Sequence, residues 1–154
     1  METPSITGET APAGPPAAGV DLFALNGAGY IVGGTRILAP LDLAIPAGRF
    51  VALLGHNGSG KSTLLSMLGR QLDPSEGEIV FAGDAIGRYG SREFARRVGW
   101  LPQQPPLAAS MTVAEVARLG RYPWRGAFGR HGARDERAVA DALDRVGLAT
   151  MGER

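Results

Sequence analysis

Gly55-His56-Asn57-Gly58-Ser59-Gly60-Lys61-Ser62 carries the spacing G-x-x-x-x-G-K-[ST]. Those residue types at those intervals suit the binding of a phosphate chain. Successive backbone N–H groups must turn inward around the phosphate oxygens, and a side chain at Gly58 or Gly60 would obstruct the approach. Lys61 brings a positive charge to the terminal phosphates, and the Ser62 hydroxyl can ligate Mg²⁺. His56 and Asn57 occupy positions that the spacing leaves unspecified. His56 reads as a loop residue beside the phosphates rather than as a catalytic base. The bland alternative is a glycine-rich turn that joins two elements and binds nothing.

Such a loop needs a strand before it and a helix after it, so that the helix N-terminus also faces the anion. The run Phe50-Val51-Ala52-Leu53-Leu54 within Arg49–Leu54 predicts a buried parallel strand. Leu64, Leu65 and Leu68 predict a helix over Lys61–Arg70, with Gly69 near its end. Upstream, the sequence predicts strands at Val20–Leu25, Tyr30–Val32 and Leu41–Ile45, antiparallel to one another, with a turn at Gly33-Gly34. Downstream come a turn at Asp73–Gly77, a strand at Glu78–Ala82 and a short helix at Ser91–Arg97. A short strand at Val98–Leu101 leads into the stiff loop Pro102–Pro106. Thr112 and Glu115 form a capping-box pattern ahead of Val113, Val116 and Ala117. Val139, Ala142, Leu143 and Val146 predict a helix over Ala133–Val146, stopped by Gly147. Asp135-Glu136 falls in its first turn and reads as a solvated helix start rather than a catalytic pair.

The bulk composition narrows the partners. A net charge of +1 gives no broad electrostatic case for nucleic acid. The absence of cysteine excludes disulfides, thiolate metal sites and cysteine nucleophiles. No apolar run reaches membrane-spanning length, and no signal-peptide pattern opens the chain. Residues 1–19, rich in Pro, Ala, Thr and Gly, read as a disordered tail.

From about Val20 onward the chain resembles the ATP-binding subunits of ATP-binding-cassette (ABC) transporters. Asp42–Gly48, Leu72–Ile79 and Val98-Gly99-Trp100-Leu101-Pro102-Gln103 carry the likeness beside the phosphate loop. Within that family it is most similar to the ATPases of bacterial iron-siderophore importers of the ferric hydroxamate type. The finer likeness lies in Gly55–Leu65, Met67–Arg70, Phe94-Ala95-Arg96, Leu101–Gln104 and Gly120-Arg121-Tyr122-Pro123-Trp124. Importers of haem or cobalamin share much of it and stay open as alternatives.

The resemblance implies an α/β fold: a P-loop NTPase core of ABC ATPase type with an N-terminal antiparallel β subdomain and the start of a helical subdomain, truncated. The expected division is a nucleotide-binding core over 20–104 and an incomplete helical subdomain over 105–154. The ligands implied are ATP and Mg²⁺. Tyr30 stands where the family places an aromatic that stacks on adenine; a strand tyrosine packed on the sheet is the other reading. Gly55, His56, Asn57, Gly58, Ser59, Gly60, Lys61, Ser62 and Thr63 match the residues around the phosphates. Ser62 and Gln103 match the Mg²⁺ ligands, Gln104 being the weaker match. Arg121, Tyr122 and Trp124 lie in the segment that faces the membrane-spanning permease; local packing of an amphipathic turn is equally open. The subunit would pair with a second copy and sit on the cytoplasmic side of the bacterial inner membrane, held only through the permease.

A complete family member also has a Leu-Ser-Gly-Gly-Gln-like signature, an apolar strand ending in Asp-Glu and a switch histidine. None occurs within these 154 residues, and His131 lies in the wrong context for that histidine. The expectation is an N-terminal fragment that binds ATP and does not hydrolyse it alone. The competing readings are a non-catalytic nucleotide-binding or interaction fragment and another P-loop enzyme such as a kinase.

Overall fold

The computed structural model describes residues 21–103, 111–125 and 132–152. The tail expected over residues 1–19, Gln104 and His131 lie outside the described residues. The chain divides into two compact units, one ending at Gly90 and one beginning at Ser91.

The first unit is built on β1 (Asp21–Val32) and β2 (Thr35–Pro46), an antiparallel hairpin. Gly33 and Gly34 close it with φ of +55° and +78°, a two-residue turn that favours glycine at both positions. The sequence predicts two separate strands here, Val20–Leu25 and Tyr30–Val32. Instead one strand runs through, with register shifts after Leu25 and on both sides of Tyr30. Asp42 Oδ1 accepts the Gly27 N–H at 2.6 Å, so a β2 side chain satisfies the backbone at the irregularity.

β3 (Glu76–Phe81) pairs antiparallel with the other edge of β1, and the short β4 (Asp84–Ala85) pairs with β3. The sheet order is β2-β1-β3-β4. Phe23, Leu25, Ile79 and Phe81 are buried, alternating along β1 and β3 as a one-sided core requires. Phe81 meets Phe23 at 4.9 Å and Tyr89 edge-on at 5.2 Å, and the Tyr89 hydroxyl donates to the Phe81 carbonyl at 2.9 Å. Helix α1 (Lys61–Leu68) buries Leu64, Met67 and Leu68.

Two predicted strands are absent from the ladders. Residues 49–54 and 98–101 form no strand and pair with none among the described residues. Phe50 is 100% exposed, Leu54 87% and Leu101 86%. An apolar run encodes burial; a strand also requires a neighbour whose N–H and C=O groups face its own.

The second unit holds α2 (Ser91–Arg97), α3 (Val113–Leu119) and α4 (Ala133–Arg145). Thr112 caps α3 as predicted. Its Oγ1 accepts the Glu115 N–H at 3.2 Å, and its own N–H donates to Glu115 Oε2 at 2.7 Å. The Thr112 backbone N–H, then its hydroxyl and the charge of Arg118, hold the Glu115 carboxyl below the usual glutamate range. Gly147, at φ +71°, ends α4, and Leu148 N–H returns to Leu143 O at 2.8 Å.

Asp135 and Glu136 do open α4, but Asp135 is not solvated. Its Oδ2 accepts the Gly132 N–H, and its Oδ1 accepts from Arg121 Nε at 2.8 Å, with the side chain 14% exposed. Arg118 forks onto Glu136 beside it. Packing of α3 and the turn that follows it against α4 supplies both guanidiniums, a tertiary fact that a first-turn dipole argument does not contain.

Candidate nucleotide-binding site

The phosphate loop is shaped by its glycines. Gly58 and Gly60 have φ of +80° and +85°, conformations that an L side chain rarely adopts. A Cβ at Gly58 would have no neighbour within 4 Å. At Gly60 it would lie 2.8 Å from Leu38 Cδ1 and 3.3 Å from the Ile37 carbonyl oxygen. The two glycines therefore serve different ends. Gly58 leaves open space on the solvent side, where a phosphate can approach. Gly60 lets the loop lie flush on β2, so its obstruction would come from the protein itself.

Helix α1 starts directly from this turn. Gly60 is its N-cap, and no side chain caps the first N–H groups. Those N–H groups have no intrahelical acceptors, so they remain able to receive an anion. The Lys61 ammonium donates to the Gly55 carbonyl at 2.8 Å and the His56 carbonyl at 2.7 Å, and lies 3.4 Å from Ser59 Oγ. These contacts aim the charge across the loop instead of outward along the helix. Ser62 is exposed on the first turn and Thr63 is half-buried behind it. His56 Nδ1 lies 2.8 Å from the Asn57 carbonyl. A carbonyl can only accept, so Nδ1 bears the proton there and the imidazole braces the loop.

Tyr30 is half-buried on β1 and pairs in the ladder with Leu38, the residue that meets Gly60. This links the expected adenine platform to the phosphate loop through one cross-strand pair. A cleft of about 360 Å³ beside the loop is lined by Leu38, Leu41, Leu53, Ser59, Gly60 and Lys61, among others. Gln103 is exposed at a bend in the second unit, after residues 98–102, which form neither helix nor strand.

Also in the second unit, two guanidiniums approach the Trp124 ring, Arg96 at 5.3 Å and Arg121 at 4.9 Å from its centroid. Arg96 Nε donates to the Pro123 carbonyl at 2.9 Å. Tyr122 is 61% exposed, with Arg92 at 5.8 Å from its ring. Arg121 and Trp124 are thus engaged locally, while Tyr122 projects.

The model of the ABC transporter family matches residues 38–154. The chain belongs to the ABC transporter family. Among curated ABC proteins it is 40% identical over 113 residues to the ferric enterobactin transport ATP-binding protein of Escherichia coli (strain K12), covering 73% of this chain and 42% of that one. It is 35% identical over 128 residues to the iron(3+)-hydroxamate import ATP-binding protein of Bacillus subtilis (strain 168), covering 83% and 47%. The hemin import ATP-binding protein of Streptomyces coelicolor is 40% identical over 136 residues, covering 88% and 48%. The chain spans about half the length of the curated relatives it matches. Among solved structures, a nucleotide-free ATP-binding cassette from an ABC transporter superposes with TM-score 0.73 at 20% identity, covering 88% of this chain and 57% of that one. That likeness shows the ATP-binding-cassette fold expected from the sequence.

The sequence reading passed over two contributors to the site region. Leu38 backs the phosphate loop, and Ser75-Glu76 holds the backbone on either side of Tyr30. For the second, the sequence offers the turn at Asp73–Gly77 and the family likeness of Leu72–Ile79, neither of which points to Tyr30.

Proposed function

We propose that this chain is the ATP-binding part of the energy-coupling ATPase subunit of a bacterial importer for iron-siderophore complexes. The observation that carries the reading is the phosphate loop: two positive-φ glycines, an uncapped α1 N-terminus and Lys61 aimed across the loop. That arrangement fits a nucleotide triphosphate. Gly55 through Thr63 would hold the phosphates, Ser62 and Gln103 would ligate Mg²⁺, and Tyr30 would stack on adenine. Bound MgATP would supply a transferable terminal phosphoryl group. The relatives named for enterobactin and hydroxamate support the iron-chelate substrate, and the hemin relative keeps haem as the second reading.

As a whole subunit it would act with a second copy and a permease, from the cytoplasmic side of the inner membrane. No helix of the described residues is long and apolar enough to cross a membrane. Arg121, Tyr122 and Trp124 would meet the permease. Phosphoryl transfer to water needs a group that orients the water, and no residue of the 154 matches the family's glutamate for that task. The chain alone would therefore bind MgATP without turning it over, so phosphate release should not exceed that of Lys61→Ala.

A chimaera tests the transport reading. Residues 38–152 would replace the matching half of the Bacillus subtilis hydroxamate import ATP-binding protein. Restored ferric hydroxamate uptake that Lys61→Ala abolishes is the expected result. A stably produced chimaera that supports no uptake with Lys61 intact would contradict it.

A further inference from the structure

We infer that Ser75 is a positioning residue for nucleotide binding: its hydroxyl fixes the backbone that carries Tyr30. This rests on the reading of Tyr30 as the adenine platform.

Tyr30 sits where β1 is least regular. The register with β2 shifts on both sides of it, and the β1–β3 ladder ends one residue earlier, at Gly29 opposite Glu76. The hairpin turn follows within three residues. Past Gly29 the strand is held by β2 alone and has no ladder partner on its β3 side, and stacking demands a fixed ring. Ser75 supplies the missing bonds. Its N–H donates to the Gly29 carbonyl at 2.9 Å. Its Oγ accepts the Ile31 N–H at 3.0 Å and donates to the Ile31 carbonyl at 3.1 Å. A hydroxyl can donate and accept at once. Here it takes the place of a strand residue's N–H and C=O and extends the ladder one step past Glu76. Both chain neighbours of Tyr30 are thereby tied to Ser75.

The next residue reinforces the clamp. A Cβ at Gly29 would lie 2.9 Å from Glu76 Cγ, so the Glu76 side chain already fills that space. Arg36 pairs with the Glu76 carboxylate from β2. Gly77, at φ +68°, brings the segment against the backbone of Asn26 and Gly27, an approach that a Cβ would block. The Asp73–Gly77 turn therefore does more than connect α1 to β3. It sets the position of Tyr30 relative to Leu38 and the phosphate loop.

The test separates base binding from phosphate binding. Dissociation constants would be measured for MgATP and for magnesium tripolyphosphate, and the tripolyphosphate constant divided by the MgATP constant gives a ratio that reports the adenine-dependent preference. Tyr30→Ala should lower that ratio about tenfold. Ser75→Ala should lower it roughly fivefold, with tripolyphosphate affinity unchanged, and Ser75→Thr should restore it. The double variant should be no weaker than Tyr30→Ala alone, because the hydroxyl acts through the ring. If Ser75→Ala does not fold, Ser75→Cys, of similar size with a weaker donor and acceptor, should show the same selective loss. A ratio unchanged in these variants while Tyr30→Ala loses it would overturn the role of Ser75 and leave the stacking reading intact. Equal losses for ATP and tripolyphosphate would also overturn it, as general damage to the fold. An unchanged ratio in Tyr30→Ala would overturn the stacking reading itself, and the inference with it.

Discussion

Alanine at Gly58 and at Gly60 should have unequal costs, although the two residues share a motif and nearly the same φ. Each substitution places a side chain in the left-handed region, at about 1–2 kcal/mol. At Gly58 nothing lies within 4 Å of the new Cβ, and the loop there is exposed. Local relaxation can absorb part of the strain, which gives a stability loss of about 1 kcal/mol. At Gly60 the Cβ also meets Leu38 Cδ1 at 2.8 Å and the Ile37 carbonyl at 3.3 Å. Overpacking costs about 1–3 kcal/mol. The flexible Leu38 tip can retreat, but the Ile37 backbone cannot, so the lower end of that range applies. Gly60→Ala should then lose about 2–3 kcal/mol in total. Urea denaturation followed by circular dichroism measures both, and each variant should also bind MgATP more weakly. Gly58→Ala should do so with most of its stability intact. A stability loss at Gly58 equal to or greater than that at Gly60 would refute the claim that the loop rests on β2.

Further outcomes concern the second unit. Glu115, held below the usual glutamate range mainly by the Thr112 backbone N–H, stabilises α3 fully above the unfolded value and loses that contribution as pH falls through its lowered one. The helicity advantage of the native chain over Glu115→Gln, read by circular dichroism, should therefore be full at neutral pH and vanish on acidification below about pH 4. Thr112→Ala should cost about 1 kcal/mol in urea denaturation at neutral pH. Arg121→Ala removes the Arg121 guanidinium from Asp135, 14% exposed, and should cost about 2 kcal/mol by the same measurement. Tyr122→Ala should cost little stability, yet in a full-length subunit it should reduce co-purification with the permease while leaving MgATP binding unchanged.

What was legible in the sequence followed local rules. The capping box at Thr112, the stop at Gly147 and the hairpin turn at Gly33-Gly34 each depend on a few neighbouring residues, and each stands where it was expected. So does α1, whose start is set by the phosphate loop. What was not legible depends on partners distant in sequence. Arg49–Leu54 has a strand's composition but finds no ladder neighbour among the described residues. Asp135 has a helix-start position, yet it also pairs with Arg121 of another element. Gly60 was read as making room for phosphate, whereas its Cβ would strike Leu38 on β2. Ser75 sits in the turn predicted at Asp73–Gly77, but its bonds to Ile31 depend on the distant β1 backbone.

The central claim is that Gly55 through Thr63 bind the phosphates of a nucleotide through the charge of Lys61. Titration calorimetry with MgATP on the native chain and on Lys61→Ala tests it most directly. Loss of a charge-assisted contact of about 1.5–3 kcal/mol corresponds to roughly a 10- to 150-fold weaker dissociation constant. The account predicts saturable binding to the native chain and a loss of that size in Lys61→Ala, with unchanged circular dichroism. Equal affinity of the two proteins, or no binding by a folded native chain, would contradict it.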